Sequence, residues 1–301
     1  MKLKYWFYAI RFQTLLLSFS GITLSFLISK SRGFGDLITY ILCLFTAIFL
    51  QILANFSNDY GDSIQGIDNN HRIGPKRIVQ RGLISLLVMK RAINIFSILS
   101  FLSGIFLICQ SLNTKDSFIF LIYFMGLLIC IYSSIKYTIG PYPYGYMGMG
   151  DLFVLIFFGL VSVEGSYFLY THIFSSEILL LSLSVGFLSL SVLNINNMRD
   201  IKNDYKNGKY TVAGILGLKY AKLYHIFSIL ISLFLGGGFI YLTYKSIYQW
   251  FFFMLSIPFF VQHLKKIFFM KNYNGFTLEL KKLVLITFFY SMCIGIGSFI
   301  Y

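Results

Sequence analysis

Long apolar runs recur nine times along this chain, at about 12–29, 37–56, 92–111, 117–134, 152–171, 174–194, 223–244, 248–263 and 283–301. Roughly 17 to 25 apolar residues let a helix cross the hydrocarbon core of a bilayer. Inside that core every backbone N–H and C=O has to be bonded within the segment. The runs therefore predict an all-α integral membrane protein with about nine transmembrane helices. Charged residues make up 12% of the chain, about half the share of a soluble domain. No polar stretch is long enough for a separate soluble unit, so residues 1–301 are expected to form a single membrane domain. The first run follows Lys2, Lys4 and Arg11, as in a signal peptide. No small-residue cleavage site follows it and eight more runs do, so it is expected to stay as a helix.

The formal charge of +14 raises nucleic acid as a partner, but its distribution argues against one. With the amino terminus in the cytoplasm and nine alternating spans, only Lys30, Arg32, Lys115 and Lys245 of the 25 Lys and Arg fall outside. This is the positive-inside pattern. It predicts a multi-pass protein of the cytoplasmic (inner) membrane, with the lipid bilayer as its environment and no protein partner implied. Cys43, Cys109, Cys130 and Cys293 lie inside apolar runs without CxxC spacing and read as packing residues.

Acidic residues are scarce, with eleven in the chain. Asp59, Asp62 and Asp68 lie in one short segment, 58–68, and Asp200 and Asp204 in another, 196–204. Each cluster follows an apolar run, so each sits at the cytoplasmic mouth of a span. The expected cytoplasmic connections are about 57–91, 195–222 and 264–282. Asn-Asp-Tyr occurs in both clusters, at 58–60 and 203–205, which suggests two related halves.

Helical spacing puts Asn58 and Asp62 on one face, with Asn55 and Asp59 beside them, and likewise Asn196, Asp200 and Asp204. A hard cation such as Mg2+ takes one or two carboxylates together with phosphate oxygens and water. Two facing carboxylate stripes thus suit a Mg2+–diphosphate complex. Arg11, Arg72, Lys76, Arg77, Arg81, Arg199, Lys202 and Lys206 supply cations nearby, and guanidinium binds phosphate oxygens in a forked geometry. A diphosphate at the mouth of an apolar bundle leaves room for a long tail among the helices, which points to an isoprenoid diphosphate.

The segment 136–151 is broken by prolines and alternating glycines. Its Tyr137, Tyr144 and Tyr146 either edge a pocket for a planar aromatic acceptor or form an interfacial belt. Lys136, beside Tyr137, reads as a substrate contact. Glu164, deep in the fifth run, is a functional candidate by position but reads as structural. His71 is expected to face solvent, and His172, His225 and His263 to sit at the interface.

Four stretches carry a family resemblance: Asn58-Asp59-Tyr60-Gly61-Asp62 on to Asp68; Arg72-Ile73-Gly74-Pro75 with Arg77; Pro143-Tyr144-Gly145-Tyr146 ending in Gly150-Asp151; and Asn194 through Asp200 with Asn207-Gly208-Lys209. On these the chain resembles the UbiA superfamily of membrane prenyltransferases, in its naphthoate branch. The resemblance implies nine spans and transfer of a polyprenyl group from polyprenyl diphosphate to 1,4-dihydroxy-2-naphthoate, at the carbon bearing the carboxylate. CO2 and diphosphate leave, and demethylmenaquinol results. It further implies that Asn58, Asp62, Asp200 and Asp204, with Asp59 beside them, hold Mg2+ and diphosphate, and that Arg72 and Arg77 contact the diphosphate. Two features depart from the family pattern. Asp68 follows Asp62 by six positions, which a straight helix would not bring to the site. Arg11-Phe12-Gln13-Thr14-Leu15 keeps the arginine of the first-helix motif but not its proline. Other readings are a different aromatic acceptor, such as 4-hydroxybenzoate or a porphyrin, and a secondary transporter, which would need polar groups near the bilayer midplane.

Overall fold

The computed structural model describes residues 3–69, 72–112 and 117–300. His71, and Lys2 and Lys115 of the charge pattern, lie outside the described residues. Each apolar run closes its backbone hydrogen bonds as a helix. The order is α1 (Leu3–Ile10), α2 (Phe12–Ser31), α3 (Leu37–Ile64), α4 (Leu86–Ser111), α5 (Ser117–Lys136), a 3₁₀ turn (Tyr144–Tyr146), α6 (Gly150–Val154), a π-helical stretch (Leu155–Gly165), α7 (Ser166–Thr171), α8 (Ser176–Lys206), α9 (Val212–Leu242), α10 (Ile247–Phe269) and α11 (Gly275–Phe299). Among the described residues there is no strand, and 9 helical segments are long and apolar enough to span a membrane, with α6 through α7 counting as one.

The helices outrun the apolar segments that predict them. The connections expected at about 57–91, 195–222 and 264–282 contract to 65–85, 207–211 and 270–274. The reason is length: the 31 residues of α8 rise about 46 Å, against a hydrocarbon core of about 30 Å. The polar ends of α3 and α8 thus stay helical while projecting beyond the lipid core, and hydropathy alone does not register them as helix. A short α1 meets α2 at Arg11, whose φ of 54° breaks the helix. Exposed Leu3, Phe7 and Tyr8 give α1 an apolar outer side.

α8 is the central strut and packs on α9, the π-helical stretch and α11. Glycines make the π contact possible: a Cβ on Gly159 would lie 2.5 Å from the Ser182 carbonyl oxygen, with Gly186 facing it. The largest core joins α2 and α8 to α11, with Leu24, Leu188, Ile229, Phe260 and Tyr290 buried together. Exposed Phe106, Phe118, Phe234 and Tyr241 make the apolar exterior that a bilayer requires. Some of the polar groups inside pair with one another. His225 and His263, expected at the interface, are instead buried between α9, α10 and α11. Their Nε2 atoms are 3.0 Å apart, and His263 Nδ1 lies 2.9 Å from Glu279. Extension of α9 and α11 beyond the apolar runs encloses them; His172 is exposed as expected.

Candidate active site

The C-terminal ends of α3 and α8 carry the two acidic clusters, and the 65–85 connection lies between them. α3 ends at Ile64, and Gly66 turns the chain with a φ of 72° that favours glycine. The turn returns Asp68 toward Asp62, its N–H donating to the Asp62 carbonyl at 3.3 Å. The connection then touches α8. Asn203 Nδ2 donates to the Ile67 carbonyl at 2.9 Å, and the Gly74 N–H donates to Asp200 Oδ1 at 3.3 Å.

Arg77 is the hub. Its Nη2 lies 2.5 Å from Asp62 Oδ2, its Nη1 3.3 Å from Asp59 Oδ1 and its Nε 3.3 Å from Asp68 Oδ1. Arg11 pairs with the same Asp59. Arg72 donates to Asp68 at 2.7 Å and reaches Asp200 Oδ2 at 3.8 Å, linking the two halves. Arg199 grips Asp200 at 2.6 Å and Asn196 at 2.8 Å, while Lys209 Nζ lies 3.6 Å from Asp204 Oδ2. The Tyr146 hydroxyl donates to Asp62. Each of the aspartates 59, 62, 68, 200 and 204 is thus matched by one of the cations Arg11, Arg72, Arg77, Arg199 and Lys209.

Burial shapes the ionisation of the 65–85 connection. Removal from water, with Arg77 close by, pulls the Arg72 guanidinium down to about 10, against the pull of Asp68 and Asp200. Burial acts the same way on Arg77, but Asp62, Asp68 and Asp59 outweigh it and hold that guanidinium above its ordinary value. Burial pushes the Asp68 carboxyl up, opposed by Arg77 and Arg72.

This polar cluster forms one end of a cavity of about 1440 Å³. Arg11, Asn58, Asp59, Asp62, Arg72, Arg77, Asn196, Tyr137 and Tyr144 line it, and its walls continue through Leu17, Leu107, Ile108 and Leu169 into the bundle. Asp200, Asp204 and Tyr146 are buried directly behind that wall. Tyr137 and Tyr144 take the pocket-edge position of the two left open by the sequence, and Tyr144 stacks on Phe153 with centroids 4.1 Å apart. Lys136, at the end of α5, is not on the cavity wall; its Nζ sits over Gly140. Lys202 is exposed over the Tyr273 ring. Lys209 went unread as a site residue. Its signal is the Asn207-Gly208 turn, which folds the Lys209 N–H back onto the Asp204 carbonyl at 2.9 Å.

The donor set is all oxygen, as Mg2+ prefers. Buried oxygens without a hydrogen-bond partner remain on Asp68 and Asp204, so the site retains unmet coordinating capacity. Among the described residues no three His, Cys, Asp or Glu side chains converge closely enough to enclose an ion unaided. The residues present fit Mg2+ together with an anionic ligand.

Fold and site together define a polytopic helical membrane protein with a charged pocket at one face and an apolar cavity behind it. The model of the UbiA prenyltransferase family matches residues 18–292. The chain is 42% identical over 272 residues to the 1,4-dihydroxy-2-naphthoate octaprenyltransferase of Haemophilus influenzae, covering 87% of this chain and 85% of that protein. Two solved structures share the fold. A UbiA homolog from Aeropyrum pernix K1 superposes with a TM-score of 0.63 at 18% identity, covering 99% of this chain and 98% of that one. A UbiA homolog from Archaeoglobus fulgidus bound to DMAPP and Mg2+ gives 0.57 at 14%, covering 96% and 98%. The chain belongs to the UbiA prenyltransferase family.

Proposed function

We propose that this chain, as one prenyltransferase domain, transfers a polyprenyl group from its diphosphate to 1,4-dihydroxy-2-naphthoate. The products are demethylmenaquinol, CO2 and diphosphate, a step of menaquinone formation. The observation that carries the reading is the junction of both acidic clusters at the polar end of one apolar cavity. The acceptor follows from the name of the H. influenzae relative and its extent of identity. The basic bias of the connections supports a cytoplasmic face for the site in the inner membrane.

In this reading Asn58, Asp62, Asn196, Asp200 and Asp204 hold Mg2+, the ion bound in the A. fulgidus homolog. When bound, the ion neutralises negative charge on the diphosphate leaving group. Arg11, Arg72 and Arg77 donate to the diphosphate oxygens, and Asp59 orients Arg11 and Arg77 through the pairs described above. The tail lies along the apolar wall. The allylic C–O bond breaks with its electron pair leaving on the diphosphate. The ring carbon bearing the carboxylate supplies the pair for the new C–C bond, and loss of CO2 restores the aromatic ring. Tyr137 and Tyr144, on the cavity wall, edge the pocket for the planar acceptor. The water-poor walls protect the allylic carbon from hydrolysis. Both acidic clusters and the cations paired with them gather at one end of the bundle, which speaks against a transporter with a midplane site.

The test is a reaction of the purified protein in liposomes with Mg2+, a polyprenyl diphosphate and equimolar 1,4-dihydroxy-2-naphthoate and 4-hydroxybenzoate, with products identified by mass. A decarboxylated, prenylated naphthoquinol is expected. A prenylated hydroxybenzoate as the main product would overturn the acceptor assignment.

A further inference from the structure

Tyr146 takes neither of the places open to it from the sequence: it is 7% exposed and lies off the cavity wall. It ends the 3₁₀ turn Tyr144–Tyr146, which is fixed on both sides. The Gly145 N–H donates to the Tyr137 carbonyl at 3.1 Å, and a Cβ on Gly145 would stand 2.7 Å from that oxygen, so the turn packs too closely for a side chain there. The Tyr146 carbonyl accepts from the Tyr210 N–H at 2.9 Å, in the connection after α8. The Tyr146 side chain then lies between the two acidic clusters. Its hydroxyl donates to Asp62 Oδ1, at the end of α3, at 2.5 Å. Its ring lies 5.5 Å from Lys209 Nζ, which pairs with Asp204 of α8 at 3.6 Å. The two oxygens of Asp62 are therefore held differently, Oδ1 by a neutral phenol and Oδ2 by the Arg77 guanidinium at 2.5 Å. A guanidinium offsets the charge of the carboxylate and competes with any other cation for it. A phenol is uncharged at neutral pH, so it orients the carboxylate and leaves its charge in place.

We infer that Tyr146 is a positioning residue of the metal site, holding Asp62 by Oδ1 and leaving Oδ2 for a divalent cation once Arg77 passes to the diphosphate. The inference rests on the prenyl-transfer reading with Mg2+. It assigns Tyr146 to the leaving-group end of the site and separates it from Tyr137 and Tyr144, which edge the acceptor pocket. Hydrogen-bond partners of metal-ligating groups fix their orientation, and loss of one costs about 10–100-fold in metal affinity or activity. Tyr146 acts through Asp62 and touches neither the tail nor the reacting carbon.

The experiment measures metal binding directly. Mn2+ stands in for Mg2+, inorganic diphosphate is supplied with it, and binding to the purified protein in liposomes is followed by electron paramagnetic resonance. Tyr146→Phe keeps the ring beside Lys209 and removes only the hydroxyl. Its Kd for Mn2+ should rise by about tenfold or more, and the Mg2+ concentration giving half-maximal turnover should rise by the same factor. KM for 1,4-dihydroxy-2-naphthoate at saturating Mg2+ should stay at the parent's value. Tyr146→Leu, which also lacks the hydroxyl, serves where the phenylalanine variant does not fold. A lowered unfolding temperature with Mn2+ affinity at the parent's value would show a structural role only and overturn the inference. A raised KM for the naphthoate with unchanged Mn2+ affinity would return Tyr146 to the acceptor and overturn it as well. A parent protein that binds no Mn2+ in the presence of diphosphate would instead remove the metal assignment of the transfer reading, and this inference with it.

Discussion

The Arg77–Asp62 pair separates what holds the site together from what makes it act. Asp59 keeps Arg11 and Asp68 keeps Arg72 when Arg77 is removed, but Asp62 is left with the Tyr146 hydroxyl alone. The side chains of Arg77 and Asp62 are 8% and 1% exposed, so Arg77→Gln strands a carboxylate away from water. Breaking a buried ion pair from one side costs about 3–5 kcal/mol. Asp62→Asn is milder, because Arg77 retains two carboxylates, and should cost about 1.5–3 kcal/mol for the weakened charge-assisted bonds. In the double variant the stranded charge is gone, so the combined loss should fall short of the sum by about 1–3 kcal/mol. Unfolding of the purified proteins in detergent, followed by circular dichroism, reads the coupling. Turnover should show no such recovery, since both groups are assigned to the diphosphate and its ion; a loss on the order of 100-fold or more is expected in all three variants. Additive stability losses would refute the geometry of the pair. Turnover restored in the double variant would show the pair to be scaffolding only.

Asp36 caps α3, accepting from the Thr39 N–H at 2.8 Å; Asp36→Ala should cost about 1 kcal/mol in unfolding measurements. That bond, foremost, holds the Asp36 carboxyl below its ordinary range. The stabilisation is therefore complete above the unfolded-state value and fades as pH falls through the depressed folded value. Parent and variant should converge in stability in acid, and a constant gap down to pH 2 would contradict the cap. Gly61→Ala places a Cβ 2.6 Å from the Thr138 carbonyl oxygen, which should cost about 1–3 kcal/mol by overpacking and lower turnover by shifting Asp62; full activity at unchanged stability would show that α3 has slack there. Excess chelator should abolish turnover while circular dichroism stays unchanged, and turnover that persists would remove the magnesium assignment.

The spans and both acidic clusters were legible in the sequence for one reason: in a bilayer protein, composition along the chain tracks depth. Where polarity and helicity part company, that signal fails. The ends of α3, α8, α9 and α11 are polar yet helical, so their boundaries were set too early or too late, and His225 and His263 were read at the interface when extended helices enclose them. Asp68 shows a different limit. Its spacing from Asp62 looked unsuitable because a straight helix was assumed, but the helix stops at Ile64 and the Gly66 turn folds Asp68 back beneath Arg72 and Arg77. Lys209 was hidden in the same way, behind the turn at Gly208, also at positive φ. Lys136 and Lys202 show the converse: nearness in sequence to a site residue did not bring either onto the cavity wall.

Arg11, Arg72, Arg77 and Arg199 are each already engaged by an aspartate, so the paired core of the site is close to neutral. A diphosphate entering it draws the arginines only in competition with carboxylates, and its added negative charge would sit in a buried setting where unpaired charge is costly. A divalent cation bound with the diphosphate would remove that obstacle, because it would offset the charge of each aspartate that releases an arginine. The 65–85 connection is the element through which such an exchange is felt by both halves. Arg72 and Gly74 touch Asp200 of α8, while Arg77 touches Asp59 and Asp62 of α3. Through these contacts the 65–85 connection joins the two acidic clusters.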